Sequence, residues 1–448
     1  MTVSETLARF LHTTGVPDDV RHEAKRLILN QLKASVGAKD HPAIRILHDW
    51  ATEGGPKEAW GAATVHWYGT PATPQQAAMV NGALYEVLDF HDTYIPCFMH
   101  AVSAVLPAAL ALAEARDLPG ERLVSALALG VEAELAVATI LMPTGYYRGA
   151  VPAGLTGGVG AAGACAVLTG LDEERTAHAL GIAMCTAFGL YASVGSMTLS
   201  YITGATARSG LSAFELAERG FTAPATGFEG DRGMFQAQCD EDRAKIEPAL
   251  AAMARPWRLF GQTYKVVPTE TITHGPVECV LAILPRAQGR TVARMTFRVN
   301  PLVQSIADER RERFGAPKSE SEATFDLRHC VAAAWTRGRF TTTETAPACY
   351  TDPAVLALRD RVDLIADEGR ATFEGCSLEV RFADGSSESH NVANFLGTPG
   401  NRVPDEKLAA LFGDYATHLP DGRADAIVGA VWALDDTPVR ALTSLLRT

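Results

Sequence analysis

At 448 residues and 47.7 kDa the chain exceeds what one compact core holds, since single cores stop growing near ~250–300 residues, and two domains are expected. With 47% hydrophobic and 21% charged residues it falls among ordinary globular proteins, outside the disordered and fibrous classes. Forty basic against 52 acidic residues give a formal charge of -12, so no overall positive field gathers nucleic acid or an anionic membrane surface, and an acidic substrate needs a locally basic pocket.

The opening Met1-Thr-Val-Ser-Glu-Thr-Leu lacks the basic region and apolar stretch of a secretory signal. Apolar runs such as Ala101–Ala113 and Ala161–Leu168 fall short of the ~20 residues a spanning helix needs. A cytoplasmic protein with no membrane partner is expected. The eight cysteines (97, 165, 185, 239, 279, 330, 349 and 376) show no CxxC and no paired Cys/His spacing, so reduced, buried thiols are expected rather than a zinc or iron–sulfur site.

From residue 5 to about 255 the chain reads as successive helices. In Glu23–Gly37 the apolar Ala24, Leu27, Ile28, Leu32 and Val36 share one helical face, and Gly37 supplies a stop. Similar patterns cover Pro74–Leu88, Val105–Ala115, Gly120–Ile140, Val159–Leu168, Thr176–Ala192 and Thr206–Glu218. The Gly- and Ala-rich stretch 154–163 implies close approach of neighbouring helices. Near residue 258 the period changes. Ala293, Met295, Phe297 and Val299 alternate with polar residues as in a half-buried strand. Cys376, Leu378, Val380 and Phe382 mark a second strand that ends at the hairpin signal Asp384-Gly385. Between them Glu322–Arg337 and Pro353–Val362 read as helices. The fold class expected is mainly α: a large all-helical domain from 1–257 and 395–448, with a smaller inserted α+β lid at 258–394.

Two segments could carry chemistry. The first, 88–100, places Asp89, His91, Asp92, Thr93 and His100 ahead of an apolar helix, a grouping suited to acid–base work on a carboxylate or, alternatively, a polar capping loop. The second, from Tyr264-Lys265 to His274-Gly275, lies at the switch between the two domain types, where small-molecule sites tend to form. A surface lysine and a helix-capping histidine are its plainer reading. His91 and His100 could bind metal with Asp89 or Asp92, but no separate carboxylate cluster reinforces this, and no metal is expected. Phe228-Glu229-Gly230-Asp231-Arg232-Gly233 has no nucleotide-loop spacing, so no nucleotide cofactor is expected.

Taken in order, these segments resemble the MmgE/PrpD family over nearly the whole chain. The resemblance is carried by Asn81-Gly82, Leu88-Asp89-Phe90-x-Asp92-Thr93, His100 through Pro107, Gly170-Leu171-Asp172, Gly220-Phe221-Thr222, Phe228-Glu229-Gly230, Tyr264-Lys265-x-x-Pro268 with His274, and Glu322 to Phe325. It implies a helical domain with an α+β lid, usually a homodimer, working without metal or organic cofactor on a small carboxylate-bearing substrate. It also implies that Asp89, His100, Lys265 and His274 are catalytic and that Thr93 contacts substrate; His91 and His329, which stand where the family has other residues, are expected to contact it as well. The shared chemistry starts at a carbon next to a carboxylate, whose weakly acidic C–H needs a placed base and cationic donors for the developing enolate.

The sequence also departs from that pattern. The family's Gly-aromatic-His stretch is here Gly149-Ala150-Val151, an expected lysine falls at Leu199 and a histidine at Ile202. A tyrosine is replaced by His329, and Phe-Asp-Asp reads Phe90-His91-Asp92. A substrate smaller or less charged than a citrate-like tricarboxylate is therefore expected. Three readings follow: a cofactor-independent lyase (dehydratase or decarboxylase), an isomerase or epimerase that returns the proton to the opposite face, and a non-catalytic ligand-binding relative.

Overall fold

The structure is a computed structural model and describes residues 1–53, 63–239, 243–287 and 289–447. The chain is mainly helical, with small sheets, and divides into two compact units. One comprises Met1–Val87, His91–Thr263 and Pro404–Thr448; the other comprises Leu88–Phe90 and Tyr264–Val403.

The first unit is helical apart from a hairpin of β1 (Ala63–Val65) and β2 (Thr70–Ala72). Its centre is the helix Pro152–Thr169, which packs on Ala101–Ala115, Gly120–Leu141, Glu173–Cys185 and Thr198–Glu218. This helix begins seven residues before the Val159 expected from periodicity, because a Gly/Ala run has no polar face to reveal its start; Pro152 in the first turn and Gly170 at φ 72° set its ends. Thr198–Glu218 likewise starts before the expected Thr206, and the helix expected to reach Ala192 ends at Cys185. Pro74–Glu86 opens with a capping box: the Gln76 amide donates to Thr73 Oγ1 and the Thr73 amide to Gln76 Oε1, both at 3.2 Å.

Missing side chains let these helices touch. A Cβ on Gly204 would stand 2.1 Å from the Met79 carbonyl oxygen, so the Thr198–Glu218 and Pro74–Glu86 helices meet backbone to backbone. By length and composition alone Gly120–Leu141 and Pro152–Thr169 could cross a bilayer, yet 89% of the most apolar window of each is buried inside this fold. The C-terminal helices return to Asp18–Val36, where Lys25 Nζ lies 2.6 Å from Asp435.

The second unit is built on a four-stranded sheet of order β4 (Val362–Ala366), β3 (Val292–Val299), β5 (Cys376–Phe382), β6 (Ser387–Val392). β3 runs parallel to β4 and antiparallel to β5, and β5 turns into β6 through Gly385 at φ 85°. All four alternating apolar residues of β5 are buried, as its pattern predicts. Ala293 is exposed rather than inward, because a bulge between Val292 and Arg294 shifts the register and Val292 takes the inward place. The segment read as helical to Val362 stops its helix at Arg359, and Val362 instead starts β4. Helices His274–Ala287 and Leu327–Arg337 cover the sheet, sharing a core with Met295, Phe297, Leu378 and Val380. The cysteines are free thiols, but not all are buried as expected: Cys185 is exposed and Cys239 partly so.

Candidate active site

In the helical unit the loop after Pro74–Glu86 is closed by backbone pairing. Tyr94 and Met99 exchange hydrogen bonds around the short turn Ile95–Cys97, and Thr93 exchanges bonds of 2.9 and 2.8 Å with Thr263. This fixes His100 immediately before the helix Ala101–Ala115. His100 Nδ1 lies 2.9 Å from the Asp92 carbonyl oxygen and 3.3 Å from Thr93 Oγ1. A carbonyl only accepts, so Nδ1 carries a hydrogen and is the donor in that contact. His91 is fully buried, stands edge-on to the His100 ring at 4.1 Å, and places Nε2 3.6 Å from Glu86 Oε2. Glu86, His91 and His100 thus bring a carboxylate oxygen and two ring nitrogens within 4.8 Å of one another, a donor set that could hold a divalent cation.

Asp92 is buried and accepts from the Gln31 amide. Nearby, Glu134 is fully buried on Gly120–Leu141, with Oε1 3.4 Å from Thr156 Oγ1. Its room comes from glycine: a Cβ at Gly160 would fall 2.6 Å from Oε2. Burial first, and then the Asp92 charge, push the Glu134 carboxyl well above the ordinary range. Val151 and Ile202, both buried, flank Gly189, where a Cβ would meet Ile202 at 2.9 Å and Val151 at 3.5 Å, while Leu199 is half-buried.

In the second unit, Asp89 sits in the left-handed region at φ 48°, a conformation Asp tolerates better than most residues. Lys265 Nζ donates to Asp89 Oδ1 at 2.6 Å and to the Asp89 carbonyl oxygen at 2.9 Å, with the lysine side chain fully buried. His274, 2% exposed, opens the helix His274–Ala287. Its ring stacks on Phe395 at 5.1 Å and its Nε2 lies 3.4 Å from the Thr269 carbonyl, so it braces the loop that follows Lys265. His329 is different. Its Nε2 donates to the Glu344 carbonyl at 2.8 Å, and burial lowers its pKa, which favours the neutral ring.

The structure therefore brings His91, Thr93 and His100 together and pairs Asp89 with Lys265, to whose loop His274 is linked. His329 is held by Asp326 and Glu344 instead. Sequence reading missed Glu86, Glu134, Glu270 and Arg310. Glu134 had a signal: a carboxylate inside an otherwise apolar helix is rare without a role. Arg310 had none, since its partner Glu270 is forty positions away.

Comparison with protein-family models matches the MmgE/PrpD N-terminal domain over residues 5–247 and the MmgE/PrpD C-terminal domain over 267–435. Among curated proteins the chain is similar to cis-aconitate decarboxylase of Homo sapiens, at 24% identity over 469 residues, covering 99% of this chain and 94% of that protein. It is similar to the Mus musculus protein of the same name at 24% over 477 residues, covering 99% and 93%. A cis-aconitate decarboxylase-like protein oryM of Aspergillus oryzae matches at 23% over 413 residues, covering 86% and 83%.

Proposed function

Because the chain belongs to the MmgE/PrpD family, we propose that it is a lyase that releases CO2 or water from a small carboxylate-bearing metabolite without metal or coenzyme. The decarboxylase names of its relatives favour CO2 loss. The observation that carries this reading is the Lys265–Asp89 pair at 2.6 Å. An ammonium held by a buried carboxylate cannot reorient, so it serves as a fixed cation for a substrate carboxylate and for enolate charge as it develops.

In this reading His100 moves the carbon-bound proton through Nε2, because Nδ1 is held by the Asp92 carbonyl. Thr93 and His91 hold the substrate, with His91 oriented by Glu86. His274 acts as a positioning residue through Thr269, and His329, bound to Glu344, supports the fold around the site. The apolar Val151, Leu199 and Ile202 support a substrate with fewer charges than a tricarboxylate, since a carboxylate beside them would lack a cation.

The test is turnover in deuterium oxide of cis-aconitate and of unsaturated or hydroxylated mono- and dicarboxylates, followed by mass spectrometry. Loss of CO2 with deuterium at the newly protonated carbon, or loss of water, is the expected result. Deuterium uptake with no loss of mass identifies an epimerase instead. Turnover that survives both Lys265→Ala and His100→Ala would overturn the assignment of these groups.

A further inference from the structure

We propose that Glu270 is a further catalytic residue, the carboxylic acid that delivers a proton to the substrate carbon as the reaction closes. This rests on the lyase reading above and adds to it the acid that the His100 and Lys265 assignments leave unnamed.

Glu270 follows Lys265 on the same loop and is the cap of the short turn Thr271–Thr273. One of its oxygens, Oε1, is anchored 3.1 Å from Arg310 Nη2. The other, Oε2, is buried and has no hydrogen-bond partner among the described residues. A buried carboxylate oxygen in that condition is destabilising, and a group that joins it, or a proton upon it, relieves the cost. Its side chain is 17% exposed, so it is neither sealed like Glu134 nor freely hydrated.

Burial favours the protonated form, and the charges around the group do not undo that. Arg310, itself 2% exposed and 5.2 Å from the Phe325 ring, is shared between Glu270 and Glu309, which lies 3.1 Å away. Glu309 is 45% exposed and also within 4.0 Å of Arg313, so water and a second cation sustain its charge. Lys265 is engaged by Asp89. Glu270 therefore holds only a share of one cation. Burial raises its carboxyl above the ordinary range; Arg310 and Lys265 oppose that rise, while Asp89 and Glu309 add to it.

The step balances as follows. The bond from carbon to a carboxylate breaks and CO2 departs without the bonding pair. That pair passes to a carbon beside a retained carboxylate. The proton on Glu270 moves to that carbon and forms the new C–H bond, leaving Glu270 ionised until water returns a proton. Its Arg310 anchor then offsets the new charge.

The experiment compares the full-length wild-type chain with Glu270→Gln and Glu270→Asp, using cis-aconitate and the smaller unsaturated acids as probes. Glu270→Gln is expected to lower kcat roughly 10²–10⁴-fold with KM little changed, and to remove the alkaline limb of the pH profile, along which the wild type loses activity as the acid ionises. Glu270→Asp is expected to restore part of kcat. Infrared difference spectra at the pH of greatest activity, wild type minus Glu270→Gln, are expected to contain a protonated-carboxyl band that disappears at high pH. An active wild type with kcat unchanged in Glu270→Gln, or the absence of that band, overturns the proposal. A wild-type chain inert towards every probe refutes the lyase reading and the catalytic role with it, while the infrared band still decides whether Glu270 holds a proton.

Discussion

Removing either member of the Lys265–Asp89 pair is expected to weaken the second unit far more than removing both. At 2.6 Å, two unit charges in an effective dielectric of about 20 attract by about 6 kcal/mol before desolvation is subtracted. The lysine side chain is 0% and the aspartate 7% exposed, so water cannot replace a missing partner. Stranding one buried charge typically costs about 3–5 kcal/mol, whereas replacing both charges with neutral groups of similar shape is often close to neutral. Lys265→Met and Asp89→Asn should each show this loss, and the double variant should recover most of it. Hydrogen exchange followed by mass spectrometry on peptides covering β3 and β5 reads the stability of that unit, and 3–5 kcal/mol corresponds to exchange faster by roughly 10²- to 10⁴-fold. If the losses in the two single variants simply add in the double variant, the charges are not coupled and the fixed-cation argument for Lys265 fails.

The Glu134 carboxyl, raised in the folded state, keeps a proton that the unfolded chain releases, so stability is expected to fall as pH rises above the ordinary glutamate value of 4.5. Glu134→Gln should flatten that slope in denaturation measured from pH 5 to 8, and an unchanged slope would show that Glu134 does not titrate between the two states. Gly204→Ala places a methyl 2.1 Å from the Met79 carbonyl oxygen and is expected to cost about 1–3 kcal/mol or more, read as a lower urea midpoint; an unchanged midpoint would mean the helices can part freely. Sedimentation of the full chain is expected to give twice the 47.7 kDa chain mass, and a mass equal to one chain would reject the homodimer.

What the sequence disclosed, and what it hid, follows from how far each interaction reaches along the chain. The inward face of β5 was legible because Cys376, Leu378, Val380 and Phe382 alternate within one strand, and strand period is a local property. β4 was not, because its five residues follow a helix directly and its partner β3 lies more than sixty positions earlier, across a parallel crossover. The polar segment 88–100 stood out because the surrounding body is apolar, so contrast alone located it. Its inner workings did not. That His100 Nδ1 meets the Asp92 carbonyl depends on how the segment folds back on itself, and that Asp89 meets Lys265 depends on joining residues 176 positions apart. Resemblance to a family put both residues among the site positions but did not pair them, and resemblance is silent where this chain departs from the pattern. The same reasoning explains Glu270. Its share in Arg310 joins a loop to a helix that no local pattern relates, so an acid placed by long-range charge balance is the kind of group a sequence conceals and a fold exposes.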